Sequence, residues 1–494
     1  MVIFLTGLTY RSVRLRFNRF MMIKYLSALI IFFTAISFIC PAKENNEPPL
    51  GFTMPAAWSS QPDTAVTDGV CPQQWWQSFG DTLLDSLVTV AVENNYDAAM
   101  AAGRIAMARA ALGSARAAYY PRINASASYT RDKSYGLMAG RTSTSTTVSY
   151  FGASLSANWE IDLFGKITAQ VKAARGELAL SRAERAAVEL SVCAETASAY
   201  IGLRVHQACL SVAREHAAAQ LKVLNIARTR FETGLASMMD VDQAEQVYYS
   251  TIASIPPLET SVHADINAIA LLLGVPGDSI APALATTNRL PSYRQIICAD
   301  VPSALLNRRP DVAQAQKQVE VCATKLGIAK KEWLPTLSVS ASAGTAAHDA
   351  RDLFSRHSFG YTVAPTLSWT VFDGLARRYN IVSQREELKN AVDSYNLTVL
   401  TAVNEVDNAI NSYINTVKYI DALDKVVKSS ENYDRRAVDN YKSGLSPFIN
   451  VADAQISFLE NINALITAKG DALNCLVSIY KSLGGGWDSD QADL

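Results

Sequence analysis

The chain has 494 residues, of which 49% are hydrophobic and 18% charged, with a formal net charge of −1. This near-neutral charge argues against a general nucleic-acid binder. The mean hydropathy of +0.06 argues against a bundle of membrane-spanning helices. After residue 40, no run reaches the ~20 apolar residues that one such helix needs. The length suits either several ordinary domains or one extended repetitive fold.

The first 42 residues have the form of a secretory signal peptide. A basic region precedes the apolar stretch Leu26–Ile39, which Cys40-Pro41-Ala42 and charged residues follow. Met21 or Met22 is an alternative start of translation. Cys40 is a candidate for lipid attachment, and cleavage after Ala42 is the alternative.

Two long units of the chain share a series of landmarks in the same order. A Leu-Gly pair, a proline and an alternating segment begin at Leu112 and again at Leu326. A Gly-Leu turn recurs at Gly234 and at Gly444, 210 residues apart. We expect a duplication. The predicted division is an N-terminal extended segment at 43–69, a first unit at 70–290, a second at 300–485, and a tail at 486–494.

Each unit is predicted to contain a hairpin of two strands, at about 122–164 and at about 336–373. Long polar connections are expected within the hairpins, at about 131–148 and 343–358. Apolar and polar residues alternate along all four strands, as in Ile123-Asn124-Ala125-Ser126 and Leu337-Ser338-Val339-Ser340. The strands approach the ~9–11 residues that cross a bilayer, and Trp159 and Trp369 suit an aromatic girdle. A membrane barrel is therefore favoured over the alternative, a soluble sandwich with one wet face.

Four strands cannot close a barrel, because the smallest closed barrels need about eight. An open sheet edge cannot lie in lipid, because its N–H and C=O groups would lack partners. Either the sheet is soluble or several chains share one barrel. A trimer would supply twelve strands.

The remaining segments predict very long helices. No glycine or proline interrupts the chain from Ala376 to Ser443, and no proline interrupts it from Lys166 to Thr233. Return helices are expected at about 239–272 and 448–482. A coiled-coil rod is the alternative, but the hairpins favour a helical tunnel that continues a barrel. The long helix predicted from Ala376 to Ser443 carries a heptad seam of apolar residues. Its members are Val399, Val403, Val406, Ile410, Tyr413, Val417 and Ile420.

Together these features resemble the TolC-like outer-membrane factor family, in its lipoprotein branch that works with resistance-nodulation-division (RND) efflux pumps. The segments that carry the resemblance are Pro55-Ala56-Ala57-Trp58, Trp75-Trp76-Gln77-Ser78-Phe79 and Asn307-Arg308-Arg309-Pro310-Asp311-Val312, within a match over about 50–485. The resemblance implies an α+β membrane protein, a homotrimer with a twelve-stranded barrel and a periplasmic α-helical coiled-coil tunnel. It implies a passive efflux channel in the outer membrane of a Gram-negative bacterium, with a periplasmic adaptor and an RND-type pump as partners.

The resemblance also implies a gate at the periplasmic tip. Tyr441 and Asp453 match residue types of the family's gate, and Asp240 matches an acidic partner. Ser446 and Asn450 stand where some relatives carry arginine and aspartate, so the lock is expected to hold less charge. Three copies of Asp453 would form a carboxylate ring that prefers cations. The alternative for both aspartates is a role at helix N-termini. The turns expected to dock an adaptor contain Gly234, Leu235, Gly444 and Leu445.

Enzymatic activity is not expected, because the sequence contains no phosphate loop, nucleophile elbow or metal-ligand spacing. We therefore expect no cofactor and no metal. Within the export class, a channel for type I protein secretion or metal-ion efflux is an alternative cargo assignment. A structural coiled-coil lipoprotein is the alternative of another class.

Overall fold

The computed structural model describes residues 50–55, 58, 66–67, 74–136, 144–285, 289–292, 297–298 and 308–485, within one compact unit that begins at Leu50. The predicted signal peptide, Cys40, most of the segment 43–69 and the tail 486–494 lie outside the described residues. The helices are α1 (Thr82–Asn94), α2 (Tyr96–Ala117), α3 (Lys166–Glu232), α4 (Met238–Leu273), α5 (Gly277–Leu284), α6 (Pro310–Lys331), α7 (Ala376–Lys442) and α8 (Ile449–Ser482).

The strands in the described residues form two sheets. A four-stranded antiparallel sheet has the order β2-β3-β5-β6, and a two-residue parallel ladder joins β1 to β4. The sequence did not indicate this short ladder, which pairs Val66 with Ile297. The strands are β1 (Val66–Thr67), β2 (Arg122–Gly136), β3 (Thr144–Ile161), β4 (Ile297–Cys298), β5 (Thr336–Ala347) and β6 (Phe359–Ser368).

The four-stranded sheet has one apolar and one polar face, because the register aligns like residues across it. One row of neighbours is Ala125, Leu155, Ala343 and Tyr361, and the next is Asn124, Ser156, Ser342 and Thr362. Period-two alternation places the two rows on opposite faces. No described part of the chain covers the apolar face, and Tyr361 is 77% exposed.

The strand ends differ from the sequence prediction. Polar connections were expected at about 131–148 and 343–358, but β2 and β3 stay paired as far as Gly136 and Thr144. The polar Ser and Thr residues there continue the backbone ladder, which needs no apolar side chains. Conversely, β6 ends at Ser368, before the expected 373. The guanidinium of Arg377 bonds the carbonyl of Thr370, so this segment turns into α7 instead of continuing the strand.

Each hairpin is joined to the helices by the same contact. The indole Nε1 of Trp159 donates to the carbonyl of Tyr119 at 2.9 Å, and that of Trp369 donates to the carbonyl of Trp333 at 3.0 Å. Both bonds link the end of a returning strand to the end of the preceding helix. The Asp162 carboxylate then accepts backbone N–H groups of the first turn of α3. The sheet is therefore fixed to the helical part through short, directional bonds.

The helices α3 and α7 contain 67 residues each, which corresponds to roughly 100 Å at ~1.5 Å per residue. The predicted seam of α7 faces the core, where Val406 and Ile410 are fully buried. By length and composition, no single described helix could cross a membrane, although α4 and α5 pass that test together as a pair bent by 116°.

The helices α3 and α8 approach closely at Gly470. A Cβ atom added there would lie 2.2 Å from Cγ2 of Val205. At Gly113 in α2, by contrast, an added Cβ would meet nothing within 4 Å. The two glycines therefore have different physical roles, although both lie inside helices.

The substitutions Gly470→Ala and Gly113→Ala are expected to shift stability in opposite directions. Alanine at 113 removes the entropic cost of a helical glycine and stabilises by about 0.5–1 kcal/mol. Alanine at 470 forces α3 and α8 apart and destabilises by about 1–3 kcal/mol. Thermal unfolding followed by circular dichroism measures both. Equal shifts for the two variants would contradict this packing.

Candidate functional site

The two helix-pair turns that were predicted as the tip have the same backbone geometry. Gly234 and Gly444 follow α3 and α7 with φ of 72° and 73°, in the left-handed region that glycine tolerates best. At the first turn Leu235 N–H donates to Arg230 O, and at the second Leu445 N–H donates to Asn440 O. With the bonds from the glycine N–H groups, both turns are Schellman motifs.

An apolar cluster joins all four helices next to these turns. The phenyl ring of Phe448 is buried and packs edge-on against the ring of Tyr441, with 5.2 Å between centroids. This packing fixes the start of α8 against the end of α7. The buried members of this tip core are Val223, Leu224, Ala227, Val241, Ala244, Val247, Ala437, Tyr441, Phe448, Val451, Ala452 and Ala454.

Tyr441 makes a side-chain hydrogen bond between the α3–α4 pair and the α7–α8 pair. Its side chain is only 2% exposed, and its hydroxyl donates to Oδ2 of Asp240 in α4 at 3.3 Å. Asp240 is held in turn by Ser237, whose Oγ donates to Oδ1 and accepts the Asp240 N–H. Asp240 thus belongs to the first turn of α4 and also meets Tyr441.

Arg230 completes the contact from the end of α3. Its Nη1 donates to the carbonyl of Lys442 at 2.8 Å, and its Nη2 donates to the carbonyl of Leu235 at 3.4 Å. Its guanidinium carbon lies 5.0 Å from the centroid of the Tyr441 ring. One cation therefore satisfies C-terminal carbonyls of both turns and stacks on the tyrosine between them.

Burial and the neighbouring carboxylate favour the neutral phenol of Tyr441. Desolvation, followed by the charge and hydrogen bond of Asp240, raises the pKa of Tyr441 from 10.0 to about 12, although Arg230 acts in the opposite direction. Burial also raises the pKa of the Asp434 carboxyl, two helical turns before Tyr441 in α7. Within the described chain, Asp434 Oδ1 is buried without a hydrogen-bond partner.

Asp453 lies apart from this contact. Its side chain is exposed, and among the described residues it has no hydrogen-bond or ion-pair partner. It is the fifth residue of α8, whose first turn holds no acidic residue, so a helix-capping role is not supported for it. Asn450 Nδ2 donates to Ser446 Oγ at 2.8 Å, a bond within the second turn.

The structure therefore brings Tyr441 and Asp240 together and leaves Asp453, Asn450 and Ser446 outside their contact. Arg230 is the residue that the sequence analysis missed. A signal was available, because a basic side chain in the last turn of a helix suits its carbonyl end. Among the described residues, no group of three or more His, Cys, Asp and Glu side chains could hold a metal ion.

Comparison with known proteins identifies the family of this chain. A sequence model of the outer membrane efflux protein family matches residues 87–275 and 301–485. The chain belongs to the outer membrane efflux protein family. Its fold is similar to that of the outer-membrane channel OprN, with a TM-score of 0.80 and 26% identity, covering 90% of this chain and 100% of that one.

Relatives in the family carry efflux names. The chain is 30% identical over 438 residues to the pyoverdine export outer membrane protein OpmQ of Pseudomonas aeruginosa, covering 85% of this chain and 89% of that protein. It is 26% identical over 452 residues to the probable efflux pump outer membrane protein TtgC of Pseudomonas putida, covering 91% and 92%. The predicted resemblance, the role as an outer-membrane efflux channel and the location in the outer membrane are confirmed.

The raised pKa of Tyr441 predicts an alkaline loss of stability that Tyr441→Phe removes. Because the pKa of Tyr441 is higher in the folded than in the unfolded chain, the neutral phenol contributes to the free energy of unfolding. This contribution is complete below pH 10 and is lost as the pH rises towards 12. The thermal midpoint of the wild type should therefore fall further between about pH 9 and about pH 11 than that of the variant, by on the order of 2 °C. Parallel curves would show that the phenol is not held in this way.

Proposed function

We propose that three copies of this chain form one channel, with a shared twelve-stranded barrel and a continuous helical tunnel. The apolar face of the four-stranded sheet supports a lipid-facing surface, and its Ser- and Asn-rich face suits a wet interior. The single observation that carries the proposal is that β2 and β6 are unpaired edge strands of a sheet with one apolar face. In lipid, such edges require a partner.

The outer edge of β6 can be read from its pairing. Ala346 N–H donates to Ser358 O, so alternate pairs along β5 and β6 exchange hydrogen bonds. The pairs between them, including Ala341 with Val363 and Val339 with Pro365, direct their β6 backbone groups away from β5. Pro365 fits this register, because its missing N–H would point to the free edge. The edge offers donors for a neighbouring copy on both sides of the proline.

We infer a tandem duplication of the unit that builds barrel and tunnel, with units at 70–290 and 300–485. The indole-to-carbonyl bonds of Trp159 and Trp369 and the turns at Gly234 and Gly444 support it, because corresponding positions make the same contacts. Within the signal region 1–42 we propose Cys40 as the lipid attachment site, which requires cleavage just before Cys40; cleavage after Ala42 is the alternative.

The tip of the tunnel is the proposed gate. The Tyr441–Asp240 bond and Arg230 hold the α3–α4 pair against the α7–α8 pair, and opening must break these contacts. Three exposed copies of Asp453 near the threefold axis would form a cation-preferring ring, with Asn450 and Ser446 as neutral neighbours. The lock depends on a cation from α3, which compensates for the uncharged Ser446.

The exposed turns are the proposed docking points for a periplasmic adaptor that recruits an RND-type pump. Leu235 and Leu445 are 68% and 79% exposed beside their glycines, Gly234 and Gly444. The pump supplies the energy, and the channel itself is passive. Relatives are named for efflux and for pyoverdine export, which favours small-molecule cargo over secreted protein, metal ions or a purely structural rod.

Single-channel recording in a planar bilayer tests this function. The wild type is expected to show a small, cation-preferring conductance that trivalent cations block, because a carboxylate ring lines the narrowest opening. Asp453→Ala should weaken the block at least severalfold. Tyr441→Ala should raise the conductance, because it removes the contact between the helix pairs.

Asp439→Ala is the matched control, since Asp439 is also an exposed carboxylate near the tip. It should leave the block unchanged. The channel proposal fails if folded protein carrying Tyr441→Ala conducts no ions.

A further inference from the structure

Aromatic residues bound the apolar face of the four-stranded sheet at two levels. Trp159 and Phe151 lie on this face of β3, while Tyr361 of β6 and the following Trp369 repeat the arrangement. The residues between them on the face are all apolar: Ala153, Leu155, Ala157, Val363, Pro365 and Leu367. Each aromatic pair is eight residues apart, which at ~3.3 Å per residue and a tilt of about 40° spans roughly 20 Å. This height approaches the ~25 Å apolar band between the aromatic girdles of outer-membrane barrels.

The apolar face changes character at the end of the sheet that lies away from the helices. There the ring of Tyr129 in β2 packs beside that of Phe151, with 4.8 Å between centroids. The next two residues of β2 on this face are Arg131 and Lys133, because alternate residues of a strand share a face. Both side chains are exposed. The cations therefore begin where the apolar band ends, and on the same face of the sheet.

Hydroxyl groups accompany the two cations. The register pairs Arg131 with Ser149 and Lys133 with Thr147, so these hydroxyls lie beside the cations on the same face. These four residues are called the rim patch. Asp132, the carboxylate between the two cations in β2, lies on the opposite face. Among the described residues, the side chain of Arg131 has no hydrogen-bond or ion-pair partner. The rim patch therefore offers several donors to an anion that has several oxygens.

The position of the rim patch favours the phosphate of a lipid over a free anion. The helical tunnel lies in the periplasm, so the far end of the sheet faces the outer leaflet. In Gram-negative bacteria the lipid of that leaflet is a glycolipid whose sugar headgroup carries phosphates. Long basic side chains can lie along an apolar surface while their charged ends reach such headgroups. The acyl chains would then cover the apolar band directly below the bound phosphate.

We propose that the rim patch binds the headgroup phosphates of lipopolysaccharide in the outer leaflet. Arg131 supplies a planar guanidinium that can donate two parallel hydrogen bonds to one phosphate, and Lys133 supplies a second charge one step further along β2. Because β2 is an edge strand, a channel of three copies carries the patch beside each junction between copies. The inference rests on the proposed channel, because it takes the apolar face of the sheet to lie in the membrane.

Native mass spectrometry of the purified full chain, titrated with diphosphorylated lipid A in a non-ionic detergent, tests the rim patch. Each cation near an anionic headgroup contributes about fivefold in affinity, so Arg131→Gln/Lys133→Gln should bind lipid A roughly twentyfold more weakly than the wild type. The single variants should each lose about fivefold. Arg435→Gln/Arg436→Gln, which removes two exposed cations from α7, is the matched control and should bind as the wild type does. Lipid A without phosphates should bind equally weakly to all of these proteins.

The inference is overturned if the double variant binds lipid A as tightly as the wild type, or if removal of the phosphates leaves the affinity unchanged. Displacement of lipid A by excess inorganic phosphate would also overturn it, because the site would then select the free anion. The same spectra count the chains in each particle. Three chains without phosphate-dependent binding remove the rim patch and leave the channel. One chain contradicts the proposed channel, and the comparison of the variants then still decides whether the patch binds lipid.

Discussion

An antiparallel sheet with an apolar face and two unpaired edges constrains this molecule more than any other feature. The strands β2 and β6 present N–H and C=O groups that nothing else in the described chain pairs as a ladder. In water these groups would bond to solvent, but the uncovered apolar face would remain costly. In lipid the face is stable, but each open edge group costs several kcal/mol. Edge pairing between copies satisfies both requirements at once.

The helical part follows from the same arrangement. The strands β3 and β6 each lead through a short junction into a 67-residue helix, α3 and α7 respectively. A closed ring of strands would therefore continue as a ring of helices. At the opposite end, the two turns come together through the apolar tip core and through the contacts of Tyr441, Asp240 and Arg230. The tip core is a separate cluster from the core near Val406 and Ile410, so the proposed gate can open without disturbing the latter.

Long, regular elements could be predicted from the sequence, because their signals are local. The period-two alternation predicted both hairpins, and the absence of glycine and proline predicted α7 to within one residue. The end of β2 and the start of β3 could not be predicted. The Ser and Thr residues there are compatible with a loop and with a paired strand. The junction before α7 could not be predicted either. Leu375 has a positive φ of 73° there, which no other described non-glycine residue has. The bonds that hold Arg377 beside it arise only in the folded chain.

The candidate site was predicted in part for a similar reason. Tyr441 and Asp240 were predicted from the resemblance to the family's gate. Arg230 was missed because its acceptor, the carbonyl of Lys442, is 212 residues away in the sequence. The return helix expected at about 239–272 forms as α4 although Pro256 and Pro257 lie inside it.

The number of copies in the particle tests the central claim most directly. Native mass spectrometry of the protein released from detergent should give three chains for the wild type and for Val363→Ala. Val363→Pro removes an N–H that points to the free edge of β6, and it should yield folded single chains that keep the β5–β6 pairing. A wild-type particle of one chain with an intact sheet would contradict the shared barrel. So would a Val363→Pro trimer as stable as that of the alanine variant.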